Sequence, residues 1–275
     1  MLTVLSYYHG DQEQASELSK WILELGGVKA HSCMVVLCHK ASEEGVVDNL
    51  RDAFGSVEII RSIHRDQGWP DSPNRAFDCA ARYIQEKQKQ PWLWIEPDAI
   101  PLKSDWIDRI SAEYEAARKR FLGFYVEHAK TVPHMSGVAV YPWFMAKYAP
   151  KSLNCVKVAW DVNGASQILP LMHQTELIQH EWKPDTFKDS ESLKRLNPKA
   201  VIYHQVKDKS LINLLRAAKN PVVATDEAAP ARPIPRSYRL QKKQNIASKP
   251  RTVEEQERIN ARMAKARASR FKNQA

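Results

Sequence analysis

Several features that would place this chain in a common class are missing from its sequence. No apolar run among its 275 residues approaches the roughly 20 residues of a membrane-spanning helix, so no membrane segment is predicted. Neither the dinucleotide-binding pattern G-x-G-x-x-G nor the phosphate-binding loop G-x-x-x-x-G-K-[ST] occurs. The four cysteines form no C-x-x-C pair, and the amino terminus has no signal-peptide pattern. These absences favour a cytoplasmic protein with reduced thiols and without a zinc site.

Positive charge is concentrated towards the carboxyl terminus. Residues 232–275 carry 13 Lys and Arg against 3 Asp and Glu, a balance of +10, whereas the rest of the chain carries 28 against 29. We therefore predict a body of residues 1–220, a Pro/Ala-rich and basic linker of residues 221–251, and a basic, helical tail of residues 252–275. The tail predicts an anionic partner such as nucleic acid, and a solubilising extension is the alternative.

Strand-like and helix-like patterns alternate along the body. Apolar or β-rich runs predict strands at residues 2–8, 31–39, 57–63, 91–95, 121–127, 136–141 and 201–204. Amphipathic segments between the first four predict helices at residues 11–25, 42–54 and 74–88. Because parallel strands are joined by helical crossovers, this order predicts an α/β fold with a doubly wound, mostly parallel sheet flanked by helices.

Polar residues follow three of the predicted strands. They are Tyr7 and Tyr8 after the first strand, Arg65 and Asp66 after the third, and Glu96 and Asp98 after the fourth. Ligands of doubly wound sheets bind beyond the carboxyl ends of the strands. We therefore expect these side chains to form part of one ligand site.

The segment Trp92-Leu-Trp-Ile-Glu-Pro-Asp-Ala-Ile-Pro-Leu resembles the D-x-D region of GT-A glycosyltransferases. In that family an apolar strand delivers two carboxylates to a divalent cation, which neutralises the charge of the leaving diphosphate of a nucleotide-sugar. The resemblance implies Mn2+ or Mg2+ bound by Asp98 and Glu96. Glu96 stands where the family usually has Asp, and contact with the ribose or a metal-bound water is its alternative role. The triplet alone also fits a solvated turn.

Further matches extend the resemblance over about residues 1–215. Asn74 and Arg75 match positions that contact the nucleotide, although Asn74 also fits a helix cap. Gly137, in Pro133-His-Met-Ser-Gly, is implied to let the backbone approach the donor sugar. Asp161, in Ala159-Trp-Asp-Val-Asn-Gly, is implied to be the general base, and capping of the following helix is compatible with that role.

The last match is Ala200-Val-Ile-Tyr-His-Gln-Val-Lys-Asp-Lys-Ser-Leu. It implies that His204 completes the metal shell and that Lys207 contacts the diphosphate. A structural histidine at a strand end is the alternative for His204. The implied donor site thus contains Tyr7, Tyr8, Arg65, Asp66, Asn74, Arg75, Glu96, Gly137 and Lys207.

The resemblance implies a GT-A-like fold and transfer of a hexose from a nucleotide-sugar, with UDP-glucose as the commonest choice, to a hydroxyl group. The patterns W-x-W-x-E-P-D and H-x-x-K-D-x-S-L resemble those of phage-type glycosyltransferases, some of which modify hydroxymethylated bases in DNA. They imply a 5-hydroxymethylpyrimidine in DNA as the acceptor. The alternatives are a glycosyltransferase acting on a protein, a glycan or a small molecule, and a non-catalytic nucleic-acid-binding protein.

Overall fold

The computed structural model describes residues 1–62, 64–65, 67–128, 131–148, 158–182 and 184–218. These residues cover most of the predicted body. The predicted linker, the basic tail and Asp66 lie outside the described residues.

Strands and helices alternate along the described chain. The strands are β1 (Leu2–Tyr7), β2 (Val28–Leu37), β3 (Phe54–Arg61), β4 (Trp92–Ile95), β5 (Ala99–Pro101), β6 (Phe121–Val126), β7 (His134–Tyr141), β8 (Met172–Gln174), β9 (Ile178–His180) and β10 (Ile202–His204). The α-helices are α1 (Gln12–Glu24), α2 (Val47–Ala53), α3 (Asp71–Tyr83), α4 (Trp106–Ala117), α5 (Trp160–Asn163), α6 (Ala165–Ile168) and α7 (Ser210–Ala217). A π-helix, Ile84–Gln88, extends α3, and 3-10 turns cover His9–Asp11, Met145–Lys147, Leu169–Leu171 and Ser190–Arg195.

A seven-stranded sheet has the order β3-β2-β1-β4-β7-β6-β8, and β7 alone of these strands runs antiparallel to its neighbours. This confirms the predicted mixed α/β fold with a mostly parallel sheet. The chain moves outward from β1 to β3 and then returns to the other side of β1 with β4. Because the strand order reverses there, the carboxyl ends of β1 and β4 leave a crevice between them. A second sheet, β5-β10-β9, stands beside that crevice.

Two hydrophobic cores cover the two faces of the large sheet. Neighbouring residues of a strand point to opposite faces, so Val4 packs into one core and Leu5 into the other. The helices α1, α2, α4 and α7 cover the face of Leu5, and α3 covers the face of Val4. Phe77 of α3 is fully buried and stacks on Trp160, with ring centroids 3.8 Å apart. This stacking connects the core to the short helix α5.

Two helices begin at positions other than those that the sequence predicts. α3 begins at Asp71 rather than Asn74, because the carbonyl oxygen of Gly68 already accepts a helix-like hydrogen bond from the amide of Ser72. The capping role considered for Asn74 is therefore wrong. α2 begins only at Val47, five residues later than predicted. The strands β5, β8 and β9 were not predicted, since three residues are too few to show an alternating pattern.

Candidate functional site

A cavity of about 490 Å3 occupies the crevice at the carboxyl ends of β1 and β4. We call it the main cavity. Its walls come from the end of β1, the loop after β4, the start of β7, α5 and the segments that follow β9 and β10. A second cavity, of about 410 Å3, adjoins it and shares the side chains of Trp182, Gln205 and Lys207.

Three potential metal ligands meet in the main cavity. Glu96, Asp98 and His204 each present one ligand atom, and these atoms lie within 4.8 Å of one another. Nε2 of His204 is 3.4 Å from Oδ1 of Asp98 and 3.5 Å from Oε2 of Glu96. The strand register explains the meeting, because β5 follows Asp98 directly and its Ala99 pairs with His204 of β10. Residues that are more than a hundred positions apart in sequence thus become neighbours.

The chemistry of these atoms fits a divalent cation. Oδ1 of Asp98 and Nε2 of His204 are buried and have no hydrogen-bond partner among the described residues. Buried polar atoms are normally hydrogen-bonded, so an oxygen and a nitrogen that make no hydrogen bond and lie 3.4 Å apart are suited to share one ion. Atoms bound about 2.1 Å from one ion at cis positions are about 3.0 Å apart, so the observed separations of 3.5 and 3.4 Å need only a small inward movement of the side chains. The residues present therefore suit Mn2+ or Mg2+, although they do not distinguish between the two ions.

The charges of the site are strongly coupled. Burial by itself raises the pKa of Asp98, but His204 and Lys207 lower that pKa well below its usual range. Burial lowers the pKa of His204, whereas the carboxylates of Asp98 and Glu96 more than offset this and raise it to about 9. A cation that binds to Nε2 must therefore displace a proton from His204.

Lys207 lines the main cavity, but its ammonium group is paired within the protein. It donates to Oδ2 of Asp98, and its side chain remains 68% exposed. Burial lowers the pKa of Lys207, but the carboxylates of Asp98, Glu96 and Asp11 together raise it above its usual value. The predicted contact between Lys207 and a diphosphate stays a prediction, and the exposed position leaves the amine within reach of the cavity.

Asp161 and Glu96 face each other across Gly137. A Cβ atom built on Gly137 would lie 3.6 Å from Oδ2 of Asp161 and 3.6 Å from Oε1 of Glu96. Any side chain at this position would occupy the space between the two carboxylates. Burial raises the pKa of Asp161, which His134 partly counteracts, and the charge of Glu96 raises it further. Oδ1 of Asp161 accepts the amide hydrogen of Val162 at 2.8 Å, so Oδ2 remains directed towards the cavity.

Asn74 has a different role from the predicted contact with the nucleotide. Its Oδ1 accepts the amide hydrogen of Trp160 at 2.8 Å, and its Nδ2 donates to the carbonyl oxygen of Val158 at 3.0 Å. Asn74 is buried and holds the start of α5 next to Asp161. The predicted residue is therefore close to the site, but it acts on the backbone that carries Asp161.

The other predicted donor contacts divide into two groups. Tyr8 lines the main cavity, whereas Tyr7 is buried on the other face of the sheet and donates to the carbonyl oxygen of Ser42 at 2.6 Å. The prediction for Tyr7 is wrong because successive side chains of a strand point to opposite faces. Arg75 pairs with Asp71 at 2.6 Å and is not part of the cavity wall, and neither is the exposed Arg65.

Several residues of the main cavity were not predicted. Asp11, His134, Ser136 and His180 line it, as do the exposed indoles of Trp69 and Trp182. His134 and Ser136 could have been found from the alternation of β7, since they are the first and third residues of that strand and point to the same face. Burial and the neighbouring imidazoles of His204 and His134 lower the pKa of His180 to about 3, so His180 is neutral.

None of the helices in the described part of the chain has the length and apolar character needed to cross a bilayer. No protein-family model matches the sequence, and a search of curated proteins found no match. Solved structures do match. An active-site mutant of LgtC superposes with a TM-score of 0.50 and 9% identity, over 82% of this chain and 98% of LgtC.

Two further matches have lower TM-scores. The galactosyltransferase LgtC in complex with donor and acceptor sugar analogs gives 0.49 at 10% identity, over 82% of this chain and 98% of LgtC. S. aureus TarS 1–349 in complex with UDP gives 0.48 at 11% identity, over 82% of this chain and 67% of TarS. At this level of identity the similarity shows the fold, and the GT-A-like fold implied by the sequence is confirmed.

Proposed function

We propose that this protein is a metal-dependent glycosyltransferase that transfers a hexose from a nucleotide-sugar, with UDP-glucose as the donor, to a hydroxyl group. The observation that carries the proposal is the pair of unpartnered, buried ligand atoms on Asp98 and His204. They lie at the crevice where a sheet of this topology binds its ligand. A GT-A-like fold alone would not justify the assignment, because one fold supports many functions.

The residues of the main cavity have distinct roles in the proposed reaction. Asp98, His204 and Glu96 would hold Mn2+ or Mg2+, and the bound ion would supply positive charge to the diphosphate of the donor. Lys207 would add a point charge to the same phosphates, once its ammonium group is shared between them and Asp98. Tyr8, on the cavity wall, is placed to contact the donor.

Asp161 is the proposed general base. Its raised pKa brings the carboxylate closer to the pH at which it must accept a proton, which is the condition for efficient proton transfer. Gly137 leaves the space beside Oδ2 of Asp161 open, so an acceptor hydroxyl has room there. Asn74 and Phe77 keep α5 in place, and the base is thereby held in one position.

For the acceptor we propose a 5-hydroxymethylpyrimidine in DNA. The basic charge of residues 232–275, next to a body without net positive charge, suits contacts to phosphates. At the main cavity, the indoles of Trp69 and Trp182 are 75% and 51% exposed, and flat apolar faces of this kind stack on bases. A base in a duplex would have to be extruded to reach Asp161. With DNA as the acceptor, the reaction would take place in the cytoplasm, of a bacterial host if the protein is phage-encoded.

The proposal is tested by direct assay of the product. The protein is incubated with Mn2+, one of several UDP-sugars and DNA that contains 5-hydroxymethylcytosine, and the digested nucleosides are analysed by mass spectrometry. We expect a hexose adduct with UDP-glucose and none on DNA that contains only cytosine. Absence of any adduct, with hydrolysis of the donor still present, would refute the DNA acceptor and favour a protein, a glycan or a small molecule.

A binding experiment separates the enzyme from a non-catalytic nucleic-acid-binding protein. Thermal unfolding is followed with UDP and Mn2+, at a concentration about a hundredfold above the dissociation constant. A functional donor site predicts a stabilisation of about 2.7 kcal/mol under these conditions. A protein that binds only DNA would show no stabilisation. Truncation after residue 220 is expected to weaken DNA binding and its salt dependence, with donor binding unchanged.

A further inference from the structure

His204 is surrounded by polar atoms on the side that faces away from the carboxylates. Its Nδ1 is 3.0 Å from Nδ1 of His180 and 3.2 Å from Oγ of Ser136. Ser136 Oγ is in turn 3.3 Å from Nδ1 of His180, so the three atoms form a closed triangle. An imidazole that offers Nε2 to a cation carries its proton on Nδ1, and the group that accepts this proton sets the orientation of the ring.

We propose that His180 is the positioning residue of His204, and that its Nδ1 accepts the Nδ1–H of His204 so that Nε2 is presented to Asp98 and Glu96. The inference rests on the proposed metal-dependent function. This hydrogen bond uses the single lone pair of Nδ1 of His180, and Oγ of Ser136 lies within hydrogen-bond distance of both nitrogens.

The backbone supports this role for His180. His180 and His204 are register partners in the parallel strands β9 and β10, so their side chains leave the small sheet on the same face. The two rings pack with centroids 4.9 Å apart. A ring nitrogen of imidazole that carries no proton has one lone pair, so Nδ1 of His180 can accept this hydrogen bond.

The proposed arrangement leaves one buried hydrogen-bond donor unpaired, and this feature distinguishes it from a contact that serves only packing. With Nδ1 as an acceptor, His180 carries its proton on Nε2, which is buried and has no partner among the described residues. A buried donor without a partner is unfavourable for folding. An apolar residue at position 180 removes that unpaired donor, but it leaves the Nδ1–H of His204 with Oγ of Ser136 as its one neighbouring acceptor in the described part of the chain. The two effects oppose each other, so the stability of the metal-free protein should change little while metal binding weakens. A residue needed only for packing would instead lower the stability and leave the affinity for the metal unchanged.

The test uses the whole chain with three substitutions. His180→Leu removes the acceptor, whereas His180→Asn keeps one, because the amide oxygen of Asn occupies nearly the position of Nδ1. His173→Leu is the matched control, since His173 pairs with Glu113 at 3.3 Å on the surface. The affinity for Mn2+ is measured in the presence of saturating UDP from the electron paramagnetic resonance signal of free Mn2+, and unfolding by urea is followed without metal.

We expect His180→Leu to weaken Mn2+ binding by about 10–100-fold, the usual effect of losing a partner of a metal ligand. His180→Asn and His173→Leu should stay within about threefold of the wild type. Equal affinity of the wild type and His180→Leu, or equal losses in His180→Leu and His180→Asn, would overturn the role of His180 and leave the metal site intact. If the wild type itself bound no Mn2+ with UDP, the proposed function would fail instead.

Discussion

Replacement of Asp98 by Asn tests the metal site most directly. Asn preserves the size of the side chain and one oxygen atom, but it removes the negative charge. Asp98 offers one of the three potential ligand atoms, is only 3% exposed, and has no hydrogen-bond partner on Oδ1 among the described residues. Loss of a residue that merely orients a ligand costs about 10–100-fold in metal affinity. Loss of the ligand itself should exceed about 100-fold, which corresponds to about 2.7 kcal/mol.

The assay for Asp98→Asn is a titration with Mn2+ in the presence of UDP, followed by electron paramagnetic resonance. Asp108→Asn is the control, because Asp108 is an exposed carboxylate that pairs with His31 at 2.8 Å on the surface. Circular dichroism establishes that both variants are folded. Folded Asp98→Asn protein that binds Mn2+ within about threefold of the wild type would show that Asp98 is not a ligand, and the arrangement around His204 would need another explanation.

Three other results are expected. Phe77→Ala should lower the free energy of unfolding in urea by about 3–5 kcal/mol, because Phe77 is fully buried against Trp160, and a loss below about 1 kcal/mol would contradict this packing. In EDTA, the free energy of unfolding should decrease as the pH rises from about 6.5 towards 9. The reason is that the carboxylates raise the pKa of His204 to about 9 in the folded protein. Protonated His204 therefore stabilises the fold fully below its pKa in the unfolded chain, about 6.5, and this contribution is lost as the pH rises towards 9. An equally steep decrease in Asp98→Asn would argue against this cause. Asp161→Asn should lower kcat by about 10^2–10^4-fold with donor affinity unchanged in calorimetric titration, and a smaller effect on kcat would exclude Asp161 as the base.

The sequence by itself determined the features that depend on local patterns. The continuous apolar run in β2 and the short run of β4 predicted buried parallel strands, because a strand covered on both faces has no polar side. The same pattern placed Glu96 and Asp98 at the end of a strand. His204 was also expected at a strand end, and its assignment as a ligand came from resemblance and from its order in the chain.

Tertiary structure alone decided which of the candidate residues meet. The pairing of β5 with β10 brings His204 to Asp98, and the pairing of β9 with β10 brings His180 to His204. The sequence predicted β10, whereas β5 and β9 have only three residues each and are too short to carry a pattern of their own. Tyr7 points to the opposite face of β1 from Tyr8, and Asn74 lies inside α3 with its side chain on the backbone of α5. Contacts between distant segments are set by packing of the whole chain, and that information is not present in any one stretch of sequence.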